Sequence, residues 1–177
     1  ERSVPVKGAE VPLTPAQQEF LAPGIENAGG YSIVVYLRAP RNVSRVALET
    51  AWRWLGQRHD VFQLRFTQSG DTRTQRYGDS HQPLDFQHWD VRDATERTFA
   101  EWNQKREEAL EVPFDLAAGP LARLILLDRG ATESSLLAII LHHLISDGLS
   151  VPVLVDDLER GYQRCLRNES GPGASAS

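Results

Sequence analysis

The chain has 177 residues, of which 41% are hydrophobic and 24% are charged, and its formal net charge is −5. These values predict one globular domain with a sizeable core, and the acidic balance disfavours nucleic acid as the main partner. The single cysteine excludes an internal disulfide framework, and no apolar run approaches the ~20 residues that a membrane span needs. We therefore expect a cytoplasmic protein whose partners are neither nucleic acid nor a membrane.

The N-terminal segment predicts a leader followed by a helix. Residues 1–10 are polar and lack the apolar core of a signal peptide, so we interpret them as a leader. Thr14 can cap a helix, Pro15 suits the first helical position, and Gln17 completes a capping box. The sequence therefore predicts a helix that begins at Pro15 and ends before Pro23.

Beyond this helix, the spacing of apolar residues predicts helices and strands that alternate along the chain. The predicted elements, in order, are a strand at 31–39, a helix at 44–58, a β-hairpin at 61–66 and 73–77, an irregular segment or short strand at 82–91, a helix at 93–111, a strand pair at 120–127 and 134–141, and a helix at 149–167. This order predicts an α/β (α+β) sandwich with a mixed or antiparallel β-sheet covered by helices. The Gly-, Ser- and Ala-rich residues 168–177 predict a flexible tail or linker.

Two adjacent histidines follow the most apolar run of the chain, in the segment His142-His143-Leu144-Ile145-Ser146-Asp147-Gly148, which we call the motif loop. A buried imidazole needs hydrogen-bond partners, and its proton affinity lies close to neutral pH. At the end of a central strand, His143 could accept a proton from an attacking amine or hydroxyl, which accelerates a reaction by ~10²–10⁴-fold. The alternative is a pair of core histidines whose hydrogen bonds are satisfied.

The end of the motif loop leaves several interpretations open. Asp147 could orient the ring of His143, or it could turn inward and pair with Arg58 or Arg65. Gly148 could permit a backbone conformation that a side chain would block, or it could allow close approach of a substrate. It could also be part of a plain turn.

The remaining histidines carry weaker signals. We expect His59, at a helix end, to serve packing or hydrogen bonding, and His142 to structure the loop. His81 and His88 lie in polar sequence, so we expect them to be exposed. No spacing of His, Cys and Asp resembles a metal site, and we expect none.

Together these residues resemble the condensation domains of nonribosomal peptide synthetases. The motif loop fits the family's HHxxxDG motif, and three further segments agree in the right order. Residues 58–66 resemble the RHExLRTxF segment, loosely after the first two positions, residues 13–18 resemble the N-terminal S-x-A-Q motif, and residues 113–123 resemble another stretch common in the family. The tandem histidines argue against heterocyclization relatives, which carry an Asp pattern instead.

The chain departs from the family pattern most strongly in length, since a full condensation domain is more than twice this long, and it also departs at several positions. Asp60 stands where the RHE segment has glutamate. Glu19 and Leu21 stand where the N-terminal motif continues to arginine and tryptophan. The departure in the N-terminal helix touches no catalytic position. Epimerization domains share HHxxxDG, so that relative stays open as well.

The resemblance implies a fold and a set of site residues. Condensation domains resemble chloramphenicol acetyltransferase, with two lobes that form a V and an active-site tunnel between them. The N-terminal lobe carries the motif, and its second histidine, here His143, is catalytic, either as general base or by positioning the acceptor amine. The motif aspartate, here Asp147, is structural and pairs with Arg58, and we expect His142 and Gly148 to support the site.

The resemblance also implies the reaction and the partners. Donor and acceptor arrive as thioesters on the 4′-phosphopantetheine of upstream and downstream peptidyl or acyl carrier proteins, and no cofactor is bound directly. The product is an amide, or in some relatives an ester, in an antibiotic or other secondary metabolite. We expect residues 11–167 to be the N-terminal lobe, inactive without its C-terminal lobe. The alternatives are a CoA- or carrier-dependent acyltransferase that makes an ester, and a non-catalytic module that docks carrier proteins.

Overall fold

The computed structural model describes residues 6–22, 28–70, 72–79, 81–92 and 96–167. The elements in these ranges are β1 (Glu10–Val11), α1 (Pro15–Phe20), β2 (Ser32–Arg38), α2 (Arg45–Arg58), β3 (Leu64–Ser69), β4 (Thr72–Tyr77), β5 (Asp85–Asp90), α3 (Glu96–Glu111), β6 (Ala122–Asp128), β7 (Leu136–His142) and α4 (Ser150–Leu166). The predicted α+β fold is confirmed. None of the helices described here is both long and apolar enough to cross a bilayer.

The larger sheet has the strand order β2-β7-β6-β5 and is mixed, as predicted. Strand β7 is antiparallel to both β2 and β6, whereas β5 runs parallel to β6. The sequences of β6 and β7 are nearly continuous apolar runs, and both strands are almost wholly buried. Runs of this kind are typical of strands that are covered on both faces.

The smaller sheet has the order β1-β4-β3 and contains the predicted hairpin. Strand β3, the first strand of this hairpin, begins at Leu64 and not at residue 61 as predicted, because residues 60–63 form a 3₁₀ turn. On the other edge of β4, the Gly8 N–H donates to the Tyr77 carbonyl at 2.7 Å. Pairing therefore begins inside the predicted leader, of which residues 1–5 lie outside the described residues. The predicted tail at 168–177 also lies outside them.

Helices α2 and α4 pack against each other and against the larger sheet. Ser44 caps α2 as predicted, since its Oγ accepts from the Ala47 N–H at 3.3 Å. A glycine at position 161 allows the close approach of the two helices, because a Cβ there would lie 2.9 Å from the Trp54 ring. Trp52 of α2 is buried and donates its indole N–H to the Asp85 carbonyl at 2.9 Å.

Helix α3 covers the opposite face of the larger sheet. Leu37 of β2 lines a cavity together with residues of α2 and α4. Successive side chains of a strand point to opposite faces, so Tyr36 faces the other way. There the Arg106 guanidinium of α3 lies over the Tyr36 ring, 5.7 Å from its centroid. Strand β7 lies between β2 and β6 in this sheet, and the motif loop begins at its end.

Candidate functional site

The end of β7 fixes the backbone of both motif histidines. Ser32 of β2 is the register partner of His142. The His142 N–H donates to the Leu121 carbonyl at 3.0 Å, and the His143 N–H donates to the Tyr31 carbonyl at 3.0 Å. The histidine pair is therefore held from both sides by neighbouring segments before any side chain is considered.

The His142 side chain is fully buried, with 0% of its surface exposed. Its Nδ1 accepts from the Leu144 N–H at 3.0 Å, and its Nε2 lies 2.7 Å from the Ala28 carbonyl oxygen. A backbone N–H can only donate and a carbonyl can only accept, so Nδ1 is unprotonated and Nε2 carries the hydrogen. Burial lowers the pKa of His142 below its usual value near 6.5 and so favours this neutral ring.

The His143 side chain is exposed on the opposite side of the strand end. Among the residues that the structure describes, none forms a hydrogen bond with its ring. It stacks on Phe20 of α1, whose ring centroid lies 6.5 Å away at an interplanar angle of 24°. The same phenyl ring meets His142 edge-on at 5.8 Å and Tyr31 at 5.2 Å.

The motif loop has a closed side and an open side. The closed side comprises His142, Leu144, Ile145 and Ser146, which are all buried. The open side comprises His143, Asp147 and Gly148, which are exposed. The Gln17 amide of α1 also contacts the loop, donating from Nε2 to the Leu144 carbonyl at 2.9 Å. One side of the loop is thus packed into the rest of the structure while the other faces outward.

Asp147 caps the turn that leads into α4. Its Oδ1 accepts from the Ser150 hydroxyl at 2.6 Å, the Ser150 N–H at 2.8 Å and the Leu149 N–H at 3.1 Å. The hydrogen bonds from Ser150 lower the pKa of Asp147. The predicted ion pair between Asp147 and Arg58 is wrong, because donors two and three residues away satisfy the carboxylate locally.

Arg58 instead joins α2 to α4 through Asp157. Its Nε donates to the Asp157 Oδ2 at 3.0 Å, and His59 Nε2 lies 2.8 Å from the same oxygen. Burial would raise the pKa of Asp157, but the hydrogen bonds from Arg58 and His59 outweigh it and lower the pKa. Arg65, the other candidate, is buried and donates to the carbonyls of Phe62, Leu64 and Ala118 and to the Gln82 amide oxygen.

Gly148 does not require an unusual backbone. Its φ lies outside the left-handed region, so the interpretation that it permits a blocked conformation is wrong. A Cβ at this position would meet nothing within 4 Å. The plain turn fits the described residues, and close approach of a substrate remains a proposal.

The glycine that the site does require is Gly29, which the sequence reasoning missed. A Cβ at Gly29 would lie 2.3 Å from the Phe114 carbonyl oxygen, and the Phe114 N–H donates to the Gly29 carbonyl at 2.9 Å. This close contact places the Ala28 carbonyl against His142. In the sequence, only the Gly29-Gly30 pair just before the strand predicted at 31–39 indicates that the backbone comes close to another segment here.

The structure places two other histidines away from the motif loop. His81 is exposed, as expected. The expectation that His88 is exposed is wrong, because it lies on β5 and its Nε2 is 3.3 Å from an Asp128 carboxylate oxygen. Strand β5 pairs with β6, so this residue sits within a sheet rather than in irregular polar sequence.

Comparison with known proteins places the chain in one family. The condensation-domain profile matches residues 7–175. The chain is 35% identical over 170 residues to a linear gramicidin synthase of Brevibacillus parabrevis, covering 94% of this chain and 3% of that protein. It is 30% identical over 171 residues to a plipastatin synthase of Bacillus subtilis (strain 168), covering 94% of this chain and 6% of that protein.

Solved structures of related domains share the fold. The epimerization domain from the third module of tyrocidine synthetase B superposes with a TM-score of 0.83 at 22% identity, over 96% of this chain and 37% of that one. The first condensation domain of the calcium-dependent antibiotic synthetase gives a TM-score of 0.80 at 20% identity, over 95% and 40%. The chain belongs to the condensation-domain family of nonribosomal peptide synthetases. Domains of this family are, in general, acyltransferases.

Proposed function

We propose that residues 11–167 are the N-terminal lobe of a condensation domain that forms amide bonds. The donor and the acceptor are held as thioesters on the 4′-phosphopantetheine arms of two carrier proteins. His143 is the catalytic residue, His142 and Asp147 shape the loop that carries it, and Gly148 leaves open space beside the loop for a substrate. One observation supports this assignment above the others: His143 is exposed and bears no hydrogen bond to a described side chain, whereas His142 is buried and doubly bonded.

The proposed reaction uses His143 at the acceptor nitrogen. An α-amino group has a pKa near ~8, so at neutral pH it is mostly protonated and needs a group that accepts its proton or holds the free amine. The nitrogen attacks the thioester carbonyl carbon, the C–N bond forms and the C–S bond breaks. The proton that the nitrogen loses passes through the imidazole to the departing thiolate, so no other reagent is consumed.

The open side of the motif loop supports a site that is completed by a second lobe. Tyr31, Leu149 and Val153 are large apolar residues in or next to this region, with 46%, 87% and 57% of their surface exposed. Exposed apolar surface of this kind is typical of a contact region. The chain spans 37% of the tyrocidine synthetase epimerization domain. We therefore propose that the C-terminal lobe forms the opposing wall and that the N-terminal lobe alone is inactive.

The test is a condensation assay with the two-lobe parent protein and carrier proteins loaded with donor and acceptor. We expect His143→Ala to reduce condensed product by roughly 10²–10⁴-fold, measured by mass spectrometry. His81→Ala, the same change at an exposed histidine outside the motif loop, serves as the matched control and should leave the product unchanged. Undiminished product in His143→Ala contradicts the catalytic assignment.

Two further arms of the assay separate the alternatives. Condensed product from residues 1–177 alone would contradict the inactivity of the single lobe. Turnover with acyl-CoA and no carrier protein would favour an ester-forming acyltransferase over a condensation domain. Carrier binding to a parent protein that makes no product would favour the docking module.

A further inference from the structure

Helix α1 contacts the motif loop with two side chains of one face. Gln17 and Phe20 are three residues apart, a spacing that places them on the same side of a helix. The Gln17 Nε2 donates to the Leu144 carbonyl at 2.9 Å. The Phe20 ring stacks 6.5 Å from His143 and meets His142 edge-on at 5.8 Å. The helix therefore contacts both the backbone of the loop and the two imidazoles.

Gln17 uses both ends of its amide. Its Oε1 accepts from the Thr14 N–H at 2.9 Å and completes the capping box of α1. Its Nε2 bonds a residue 127 positions away, in the loop. A glutamate would complete the capping box equally well but could not donate to a carbonyl. The choice of glutamine is thus explained by the loop and not by the helix.

Phe20 restricts the ring of His143 on one side. Its phenyl face is nearly parallel to the imidazole, and its position is fixed by edge-on contacts with Tyr31 and His142. Aromatic pairs in such arrangements are stabilised beyond the area that they bury. The Phe20 ring therefore lies against one face of the exposed His143 imidazole.

We infer that Gln17 and Phe20 are positioning residues for His143. Through these two side chains, α1 fixes the position of the motif loop and the orientation of the His143 ring. The inference rests on the proposed role of His143. It assigns to the N-terminal helix a task at the site, although the sequence pattern indicated no catalytic position there.

The first test compares Gln17→Glu with Gln18→Glu in the two-lobe protein. Both variants add the same charge to α1 and keep the capping box, but the Gln18 Nε2 donates to the Leu13 carbonyl and does not contact the loop. We expect Gln17→Glu to lower kcat by roughly 10- to 100-fold with little change in KM, since a small displacement of a reacting group has this effect. Gln18→Glu should retain the wild-type kcat. Equal behaviour of the two variants overturns the inference.

The second test follows the His143 ring by NMR in the 177-residue chain and does not require turnover. We expect Phe20→Leu and Gln17→Glu to shift the His143 ring proton resonances, because the stacked phenyl ring is lost or displaced, while Gln18→Glu leaves them in place. Unshifted resonances in Phe20→Leu and Gln17→Glu overturn the inference even if His143 proves catalytic. If the resonances shift but His143→Ala keeps its activity, α1 does contact the His143 ring, and the catalytic role proposed for His143 is contradicted instead.

Discussion

His142 and His143 are neighbours in the chain and differ in almost every physical respect. His142 ends a central strand on the closed side of the motif loop, where it is fully buried and hydrogen-bonded at both ring nitrogens. His143 lies on the open side and is exposed. Because successive residues of a strand point to opposite faces, one step along the chain separates a buried ring that holds the loop from a ring that faces outward.

Removal of the two imidazoles should therefore change the free energy of unfolding by very different amounts. His142→Ala leaves the Ala28 carbonyl and the Leu144 N–H without a partner and opens a cavity, and we expect it to lower the free energy of unfolding by about 2–4 kcal/mol. His143→Ala removes an exposed ring and should change it by less than about 0.5 kcal/mol. Urea unfolding of the 177-residue chain measures both. Equal losses of unfolding free energy in the two variants would contradict the distinction between the closed and the open side of the motif loop.

Gly29 and Gly148 give the same contrast between a tightly packed position and an open one, and here each substitution adds only a methyl group. In Gly29→Ala, a methyl group would clash with the Phe114 carbonyl oxygen, and we expect a loss of about 1–3 kcal/mol, typical of overpacking. Gly148→Ala places a methyl group in open space, so it should be neutral and is the matched control. The thermal unfolding midpoints of the two variants decide this, and a destabilised Gly148→Ala together with an unaffected Gly29→Ala would contradict the described packing.

A third contrast concerns the carboxylate that Arg58 binds. Asp157→Asn keeps the shape of the side chain but removes its charge from Arg58 and His59, and we expect a loss of about 1–2 kcal/mol, since Arg58 is partly exposed to solvent. Asp147→Asn lies on the open side and should cost less, because its amide oxygen can still accept from Ser150. Chemical denaturation should rank the two variants in this order. A larger loss of unfolding free energy in Asp147→Asn than in Asp157→Asn would contradict the pairing of Arg58 with Asp157.

The smallest expected effect is a dependence of stability on pH. Burial holds the pKa of folded His142 below its unfolded value, so the unfolded chain binds a proton first as pH falls. The contribution of neutral His142 is complete above pH ~6.5 and declines below it, by at most about 1.4 kcal/mol per pH unit, until the folded pKa is reached. His142→Asn, whose Oδ1 can still accept a hydrogen bond, should remove this part of the slope between pH 7.5 and 5. An unchanged slope would mean that another group causes it.

Local signals in the sequence predicted the helices well. The capping box at Thr14 and the cap at Ser44 were both found, because a cap depends on residues within one turn. The strands β6 and β7 followed from their apolar runs. For residues 82–91 the sequence predicts an irregular segment or a short strand and does not decide between them, because the pairing of β5 with β6 is parallel and joins distant parts of the chain.

The site was less predictable than the fold. The motif identified the two histidines, but the partners of His142 lie at Ala28 and Leu144, and only the folded chain brings Ala28 to the ring. The expected Asp147–Arg58 pair failed for the opposite reason, because nearer donors were available to Asp147. Contacts between distant segments, such as Gln17 with Leu144, leave no periodic trace in a single sequence.

His142 is a neutral structural ring, and His143 is the accessible one. Nitrogen-15 NMR of the histidine rings in the 177-residue chain at neutral pH tests it most directly. We expect His142 to carry its hydrogen on Nε2, protected from exchange with water by the Ala28 carbonyl, and to have an unprotonated Nδ1. We expect the ring hydrogen of His143 to exchange rapidly. A His142 ring protonated at Nδ1, or equal exchange at both histidines, would contradict it.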